Sequence, residues 1–405
     1  MRRLRILNVS AQKPDSTGSG TFLAGTVAAQ AAAGHEAGVI CGVAASDRIE
    51  TLEAASYVLP VRFETEELPF HVCGMSDEMP YAATRYRDLT SEMLAQFDAA
   101  FSRAIGEAVR DFAPDAIICH HLYLVSSIVR ERVRDIPVAA ICHATDLRQM
   151  AMHGLERERI VAAIRGMDAV FALHHEQAGE IVRVYGIDAG RVHVTGTGYN
   201  SRVFNEEGPA PTRVPGSITF VGKVSFKKGV ESLLDALDLI DPSMVGPQGL
   251  SVTLVGGHDP ASADFQRIAT RVPSCCWPVR LAGRIPTEEL VATYRSSEVF
   301  VLPSYYEGLP LVGIEALACG CKVVMTDLPG VRDGMASLLP ENSMRWVEPP
   351  AMLAVDTPDP EALPAFGARL AEGLVDALAQ PQATFDVTRA SWDGVVARML
   401  GWIAG

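Results

Sequence analysis

Hydrophobic and polar positions repeat in one order along the chain: a short apolar run, a turn-rich loop, a longer amphipathic stretch, then another apolar run. Residues 4–10 read as a buried first strand. The loop AQKPDSTGSGTF follows, then a helix over 23–33 closed by Gly34 and His35, and a strand over 37–43. Further strands are predicted over 115–121, 137–142 and 168–173, with helices over 91–111 and 176–185. Residues 50–88 are polar and lack clean periodicity, and 75–89 read equally as a lid or as surface filler. Residues 205–217, with three prolines and two glycines, read as a linker. A second series then runs through strands at 218–221, 250–255, 279–283, 299–302 and 323–325. A helix is expected over 230–239, and another with Thr287 as its N-cap. Past Asp333 the pattern loosens, and helical runs over 361–379 and about 385–403 end the chain. Strands alternating with helices predict an α/β protein of two Rossmann-like, doubly wound domains.

The length of 405 residues fits two to three domains, and 48% hydrophobic with 21% charged residues is an ordinary globular composition. A net charge of −14 argues against nucleic acid as a partner and against adsorption to anionic lipid. Arg2, Arg3 and Arg5 read as charge around the end of the first strand, with at most a peripheral membrane contact. No apolar run reaches 18 residues and no leader is visible, which points to the cytoplasm. The eight cysteines include no C-x2-C pair and read as reduced thiols.

The chemistry concentrates in SYYEGLPLVGIEALACGCK, residues 304–322. Pro310 and Gly320 bracket one short helix between two apolar strands. A helix N-terminus offers free amides and partial positive charge to a phosphate. Glu307 lies in the loop before that helix and Glu315 inside it. An anion cradle with two carboxylates suits a sugar nucleotide, which carries both a diphosphate and hydroxyl donors. Earlier in the same half, GKVSFKKG places Lys223 and Lys228 around a turn ahead of a helix, again suited to a diphosphate.

Glu307 and Glu315, with seven residues between them in EGLPLVGIEALACG, resemble the E-x7-E element of retaining glycosyltransferases, and of glycosyltransferase family 4 in particular. That resemblance implies a GT-B fold whose two domains face across a cleft, with the last helix returning to the first domain. Its boundaries are expected at 1–207, 208–385 and 386–405. It further implies that Glu315 holds the ribose, that Glu307 accepts from donor-sugar hydroxyls, and that amides around Gly308, Leu309, Pro310 and Leu311 meet the phosphates. Lys228 matches the family's phosphate-binding lysine, and Lys223 stands where arginine is usual. Backbone at Arg284 and Ile285 is implied to lie near the base. Gly18 and Gly20 fall in the loop that approaches donor phosphate and acceptor, and His143 reaches the donor sugar. His120, His121, Asp146 and Arg148 are lesser candidates, and Arg148 could pair with an anionic acceptor or serve a structural ion pair.

The implied activity moves a sugar, with retention, from a nucleotide diphosphate (UDP by default) to a hydroxyl of a glycan, lipid-linked or small-molecule acceptor. No tightly bound cofactor is expected, and the absence of any D-x-D triplet argues against a metal. The alternatives are a nucleotide-sugar epimerase or hydrolase on the same fold, and a non-catalytic sugar-nucleotide-binding protein.

Overall fold

Strand residues point alternately to the two sides of a sheet, and in the N-terminal half both sets are apolar. Ile6, Ile118, Ala139 and Phe171 share one buried cluster, while Leu7, Ile117, Ala140 and Val170 share another. Sheets buried on both faces in this way are parallel. The computed structural model describes residues 2–14, 16–76, 79–208, 211–354 and 356–404. In it β1 (Arg5–Val9), β2 (Glu36–Ala44), β3 (Tyr57–Phe63), β4 (Ala116–His120), β5 (Val138–Ile141), β6 (Ala169–Ala172) and β7 (Val192–Val194) form one sheet. Its order is β3-β2-β1-β4-β5-β6-β7 and every pair is parallel. Helices α1 (Gly18–Ala32), α2 (Ser91–Asp111), α3 (Leu124–Arg132), α4 (Thr145–Met152), α5 (Arg157–Arg165) and α6 (His175–Tyr185) connect these strands.

The second half repeats the plan. Strands β8 (Val214–Val221), β9 (Ser251–Val255), β10 (Val279–Gly283), β11 (Ser297–Leu302), β12 (Lys322–Thr326) and β13 (Met344–Val347) pair in the order β10-β9-β8-β11-β12-β13, all parallel. They alternate with α7 (Val230–Leu239), α8 (Ala263–Arg271), α9 (Thr287–Ser296), α10 (Leu311–Ala318) and α11 (Val331–Ala336), and α12 (Leu363–Ala379) follows. In each sheet the winding reverses once, between β1 and β4 and between β8 and β11. The loops leaving the carboxyl ends of those strands diverge there and open a crevice, which is where doubly wound sheets bind ligands.

The last helix, α13 (Trp392–Ala404), packs on α1 and the sheet of the first unit. Trp392 meets Phe22 edge-on at 4.9 Å. Any side chain at Gly25 or Gly198 would overlap the Trp392 ring, so these two glycines make its seat. The two units accordingly comprise residues 1–198 with 392–405, and residues 199–391. These divisions fall at 198/199 and 391/392 rather than at 207/208 and 385/386. Tyr199 and Phe204 already belong to the second core, and Tyr199 N–H donates to the Ala390 carbonyl at 3.1 Å.

Several expectations shift. The first helix begins at Gly18 rather than Leu23, because Thr17 caps it by accepting from Gly20 N–H. Gly18 and Gly20 therefore sit in a helical first turn and not in a loop. The strand β3 hides in the polar stretch because Pro60 interrupts its reading; proline is tolerated here since β3 is an edge strand. Of the 75–89 stretch, residues 77–78 lie outside the described residues; Cys73–Gly74 and Thr84–Arg85 pair as a short parallel bridge. The expected linker contains the start of β8 at Val214, and residues 209–210 of it lie outside the described residues. Pro286, not Thr287, stands at the N-cap of α9, and Thr287 is already helical. The last helix starts at Trp392 rather than near 385, because Asp386 accepts from both the amide and the hydroxyl of Thr388 and holds a turn instead. Among the basic residues at the start, Arg2 pairs with Asp115 and Arg3 with Glu36. Six of the eight cysteines are buried. No helix of the described residues is long and apolar enough to cross a membrane.

Trp392 is the anchor of α13 in the first unit. Trp392→Ala should destabilise that unit by about 3–5 kcal/mol, as expected for emptying a buried aromatic site. Urea unfolding followed by circular dichroism should show an earlier transition, and an unchanged midpoint would mean that α13 contributes little.

Candidate active site

In the second unit, the loops after β8 and β11 are held together by backbone. Tyr305 N–H donates to the Lys227 carbonyl at 3.0 Å. Gly229 has φ 68° and lies so close to the Pro303 carbonyl that any side chain would collide with it. The Phe226–Lys228 turn is anchored below by Asp264, which accepts from Phe226 N–H at 2.9 Å. Lys228 Nζ thereby reaches Glu307 Oε1 at 2.5 Å, and Ser304 Oγ donates to the same oxygen at 2.7 Å. Beside this cluster α10 begins at Leu311, with Pro310 at the N-cap and no side chain capping it. Gly313 N–H turns back to the Pro310 carbonyl at 3.2 Å, which leaves the amides of Leu311 and Val312 for an anion. Gly308 is exposed with open space around it, and Leu309 packs against the core.

Lys223 is exposed and makes no ion pair among the described residues, so it does not join the Lys228–Glu307 contact. Arg284, past the carboxyl end of β10, is exposed with its guanidinium against Gly257, while Ile285 packs on the core. Nearby in sequence, His258 stacks on Phe265 with ring centroids 3.9 Å apart. Glu315 lies within α10, half-buried beside the fully buried Tyr294 phenol. Burial pushes its carboxyl up to about 7, with the phenol pulling the other way.

In the first unit the crevice between β1 and β4 is lined by imidazoles. His120 ends β4, His121 comes just after it, and His143 follows β5. His143 Nε2 and His120 Nδ1 are 3.3 Å apart, and the two rings lie nearly parallel. His121 Nε2 contacts Gln12 Oε1 at 2.9 Å, and Gln12 in turn accepts from Ser19 Oγ at 3.0 Å. Burial depresses all three histidines and brings His143 down to about 3, so these rings are neutral hydrogen-bonding groups. His121 and Ala144 adopt left-handed backbone, φ 74° and 68°. Each costs on the order of 1 kcal/mol or more, the kind of strain that gathers at working sites. Asp146 is fully buried and accepts from the amides of Leu122 and His143, which binds the turn after β4 to the turn after β5. Its role here is to position. Arg148, on the first turn of α4, is exposed and makes no ion pair among the described residues.

Most of the expected residues thus fall at two switch points, while Arg284 and Ile285 follow the edge strand β10. Lys228 and Glu307 meet directly at one, with Gly308 to Leu311 alongside, and His143 joins His120 and His121 at the other. Gly18 and Gly20 open α1, and Gly20 N–H is already taken by Thr17. Sequence reading gave Ser304 and Gln12 no role; the signal for Ser304 was its S-x-x-E spacing to Glu307, whereas Gln12 meets His121 only through the fold.

Two family models match. Residues 17–198 match the "Glycosyl transferase 4-like domain" and residues 215–353 match "Glycosyl transferases group 1". The chain belongs to the group 1 glycosyltransferases, and its two Rossmann-like units are those of the GT-B fold. It is 29% identical over 191 residues to a D-inositol 3-phosphate glycosyltransferase of Xylanimonas cellulosilytica, covering 43% of each chain. To an alpha-maltose-1-phosphate synthase of Mycolicibacterium smegmatis it is 29% identical over 236 residues, 54% of this chain and 56% of that one. The chain therefore spans about half the length of the curated relatives it matches. Its fold is similar to that of sucrose-phosphate synthase from Thermosynechococcus elongatus, with TM-score 0.57, 21% identity and 98% of both chains covered. It is also similar to the Anabaena protein HepE in complex with UDP and glucose, with TM-score 0.60, 14% identity, and 99% and 100% covered.

The environment of Glu315 makes stability depend on pH. A carboxyl raised from 4.5 to about 7 keeps its proton in the native state longer than in the unfolded chain. Its contribution is full below about pH 4.5 and is lost as pH rises through about 7. Glu315→Gln should remove up to about 3 kcal/mol of that decline. Denaturation midpoints of parent and variant at pH 5 and pH 8 would check it; parallel pH profiles would refute it.

Proposed function

We propose that this protein transfers a sugar, with retention of anomeric configuration, from a nucleotide diphosphate donor to an acceptor hydroxyl. The observation that carries the reading is the meeting of Lys228 and Glu307 beside the uncapped start of α10. As the anomeric C–O bond breaks, negative charge grows on the departing diphosphate. Lys228 and the first-turn amides of α10 stabilise that charge electrostatically, with Lys223 available from the same loop. Glu307 accepts from donor-sugar hydroxyls and Glu315 from the ribose. The acceptor attacks on the face the diphosphate leaves, and the leaving phosphate takes the acceptor's proton.

UDP-sugars are the donors of choice, since structurally similar proteins are described with UDP or UDP-glucose. The acceptor is assigned to the first unit, where the neutral imidazoles lie at the switch point and Arg148 is exposed on α4. Sugar phosphates and inositol phosphates head the panel to test, because matched relatives are named for such compounds. The deciding experiment incubates the protein with UDP-, GDP- and ADP-sugars, with and without acceptors, and follows nucleotide release. Release that ignores every acceptor would favour a hydrolase.

Charge stabilisation by a lysine and backbone amides, together with the missing D-x-D triplet, leads to metal independence. Turnover in excess EDTA should stay near the untreated rate, and a loss that manganese or magnesium restores would sink this part of the reading.

Lys228→Ala and Glu315→Ala should fail differently. The charge facing Lys228 grows in the transition state, so its loss should depress kcat. Ribose hydroxyls are the same in substrate, transition state and free nucleotide, so losing Glu315 should raise KM and weaken nucleotide binding with less change in kcat. Each effect should be about tenfold or more, as for a hydrogen bond to a charged group. Steady-state kinetics with calorimetric titration of the nucleotide separates the two. Lys228→Ala acting on KM alone, or Glu315→Ala binding nucleotide normally, would reverse the assigned roles.

A further inference from the structure

Glu307 is held in an uneven way. Lys228 and Ser304 both converge on Oε1, and neither engages Oε2. Ser304 is fully buried and directly follows Pro303, whose carbonyl packs against Gly229. The next residue, Tyr305, is pinned twice, by its amide to the Lys227 carbonyl and by its hydroxyl to Ser232 Oγ at 2.8 Å. The serine hydroxyl therefore comes from backbone that cannot shift, while Lys228 is a long, partly exposed side chain. Two donors of such different stiffness on one oxygen differ in what survives ligand binding. An incoming diphosphate competes with Glu307 for the ammonium group of Lys228, and a freed carboxylate would follow its cation unless something else held it.

We propose that Ser304 is a positioning residue for recognition of the donor sugar. It holds Oε1 of Glu307 after Lys228 has turned to the diphosphate, so that Oε2 stays presented to donor-sugar hydroxyls. This rests on the nucleotide-sugar reading above, and it assigns Ser304 no contact with the phosphates. The serine acts through Glu307 alone, and that separates it from a merely structural hydroxyl.

The test has one structural and one kinetic arm. In ligand-free crystals of K228A, the Glu307 carboxylate should keep its place, because Ser304 still holds it. In K228A/S304A it should swing away or split between conformers. A carboxylate that moves already in K228A, or stays put in the double variant, overturns the inference whatever the protein transfers. In the kinetic arm, S304A should lower kcat/KM for the nucleotide sugar by about tenfold or more. Free UDP should bind within about twofold of the parent, and S304T should recover most of the loss. In the E307Q background, S304A should add less than about twofold, since the residue it serves is already disabled. An equal loss in that background, or a parallel fall in UDP affinity and thermal midpoint, would make Ser304 a structural residue only. Failure of the parent to consume any nucleotide sugar would instead reject the proposed function, and the crystals would still decide the role of Ser304.

Discussion

The close approach of Gly229 to the Pro303 carbonyl is the constraint on which the second unit's crevice depends. Adjacent parallel strands at a switch point send their loops apart, so two side chains on those loops meet only if something draws the backbones together. Here φ 68° at Gly229 and the absent side chain let the loop after β8 lie against the end of β11. Once they touch, the Tyr305–Lys227 backbone bond closes the gap and Lys228 falls within 2.5 Å of Glu307. A methyl group at position 229 would push away Lys228, the cation paired with that carboxylate. The glycine is thus as much part of the site as the charged residues, although it touches no ligand atom in the proposed chemistry.

Much of this was legible in the sequence, for identifiable reasons. Alternating apolar runs announced the parallel sheets because burial on both faces forces nearly continuous hydrophobic strands. Glu307, Glu315 and Lys228 were singled out by their resemblance to the family's motifs, and the fold brings Lys228 to Glu307. The failures also have causes. Strand β3 was masked by Pro60, which only an edge position allows, and an edge position is a property of the whole sheet. The first helix was shortened because Gly18 and Gly20 looked like loop glycines, while Thr17 caps them into a turn. Gln12 was invisible because only the fold brings it to His121, while Ser304 was passed over although Glu307 lies three residues on, because a loop serine shows no purpose until the carboxylate beside it is fixed. His143 could be picked out by resemblance, but its contact with His120 across β4 and β5 depends on strand order.

The two crevices occupy the same topological position in their own sheets, yet they are built from opposite chemistry. One holds a paired lysine and glutamate beside a helix N-terminus, with further cations exposed around it. The other holds the buried imidazoles of His120 and His121 and the half-buried one of His143, all neutral, with a glutamine amide and a carboxylate tied up by backbone amides. Burial drives that difference: a charged imidazole in such a place would need a nearby anion, and Asp146, the carboxylate within reach, lies 3.9 Å from His121 and is already bonded to two amides. A neutral ring can donate from one nitrogen and accept at the other, and so can match a hydroxyl in either sense. Under the proposed function such a lining would read hydroxyl geometry with little electrostatic pull. The charged crevice, by contrast, is suited to a group whose charge changes during reaction. One plan of strands thus provides a charged crevice and a neutral, hydrogen-bonding one, and the proposed transfer would draw on both.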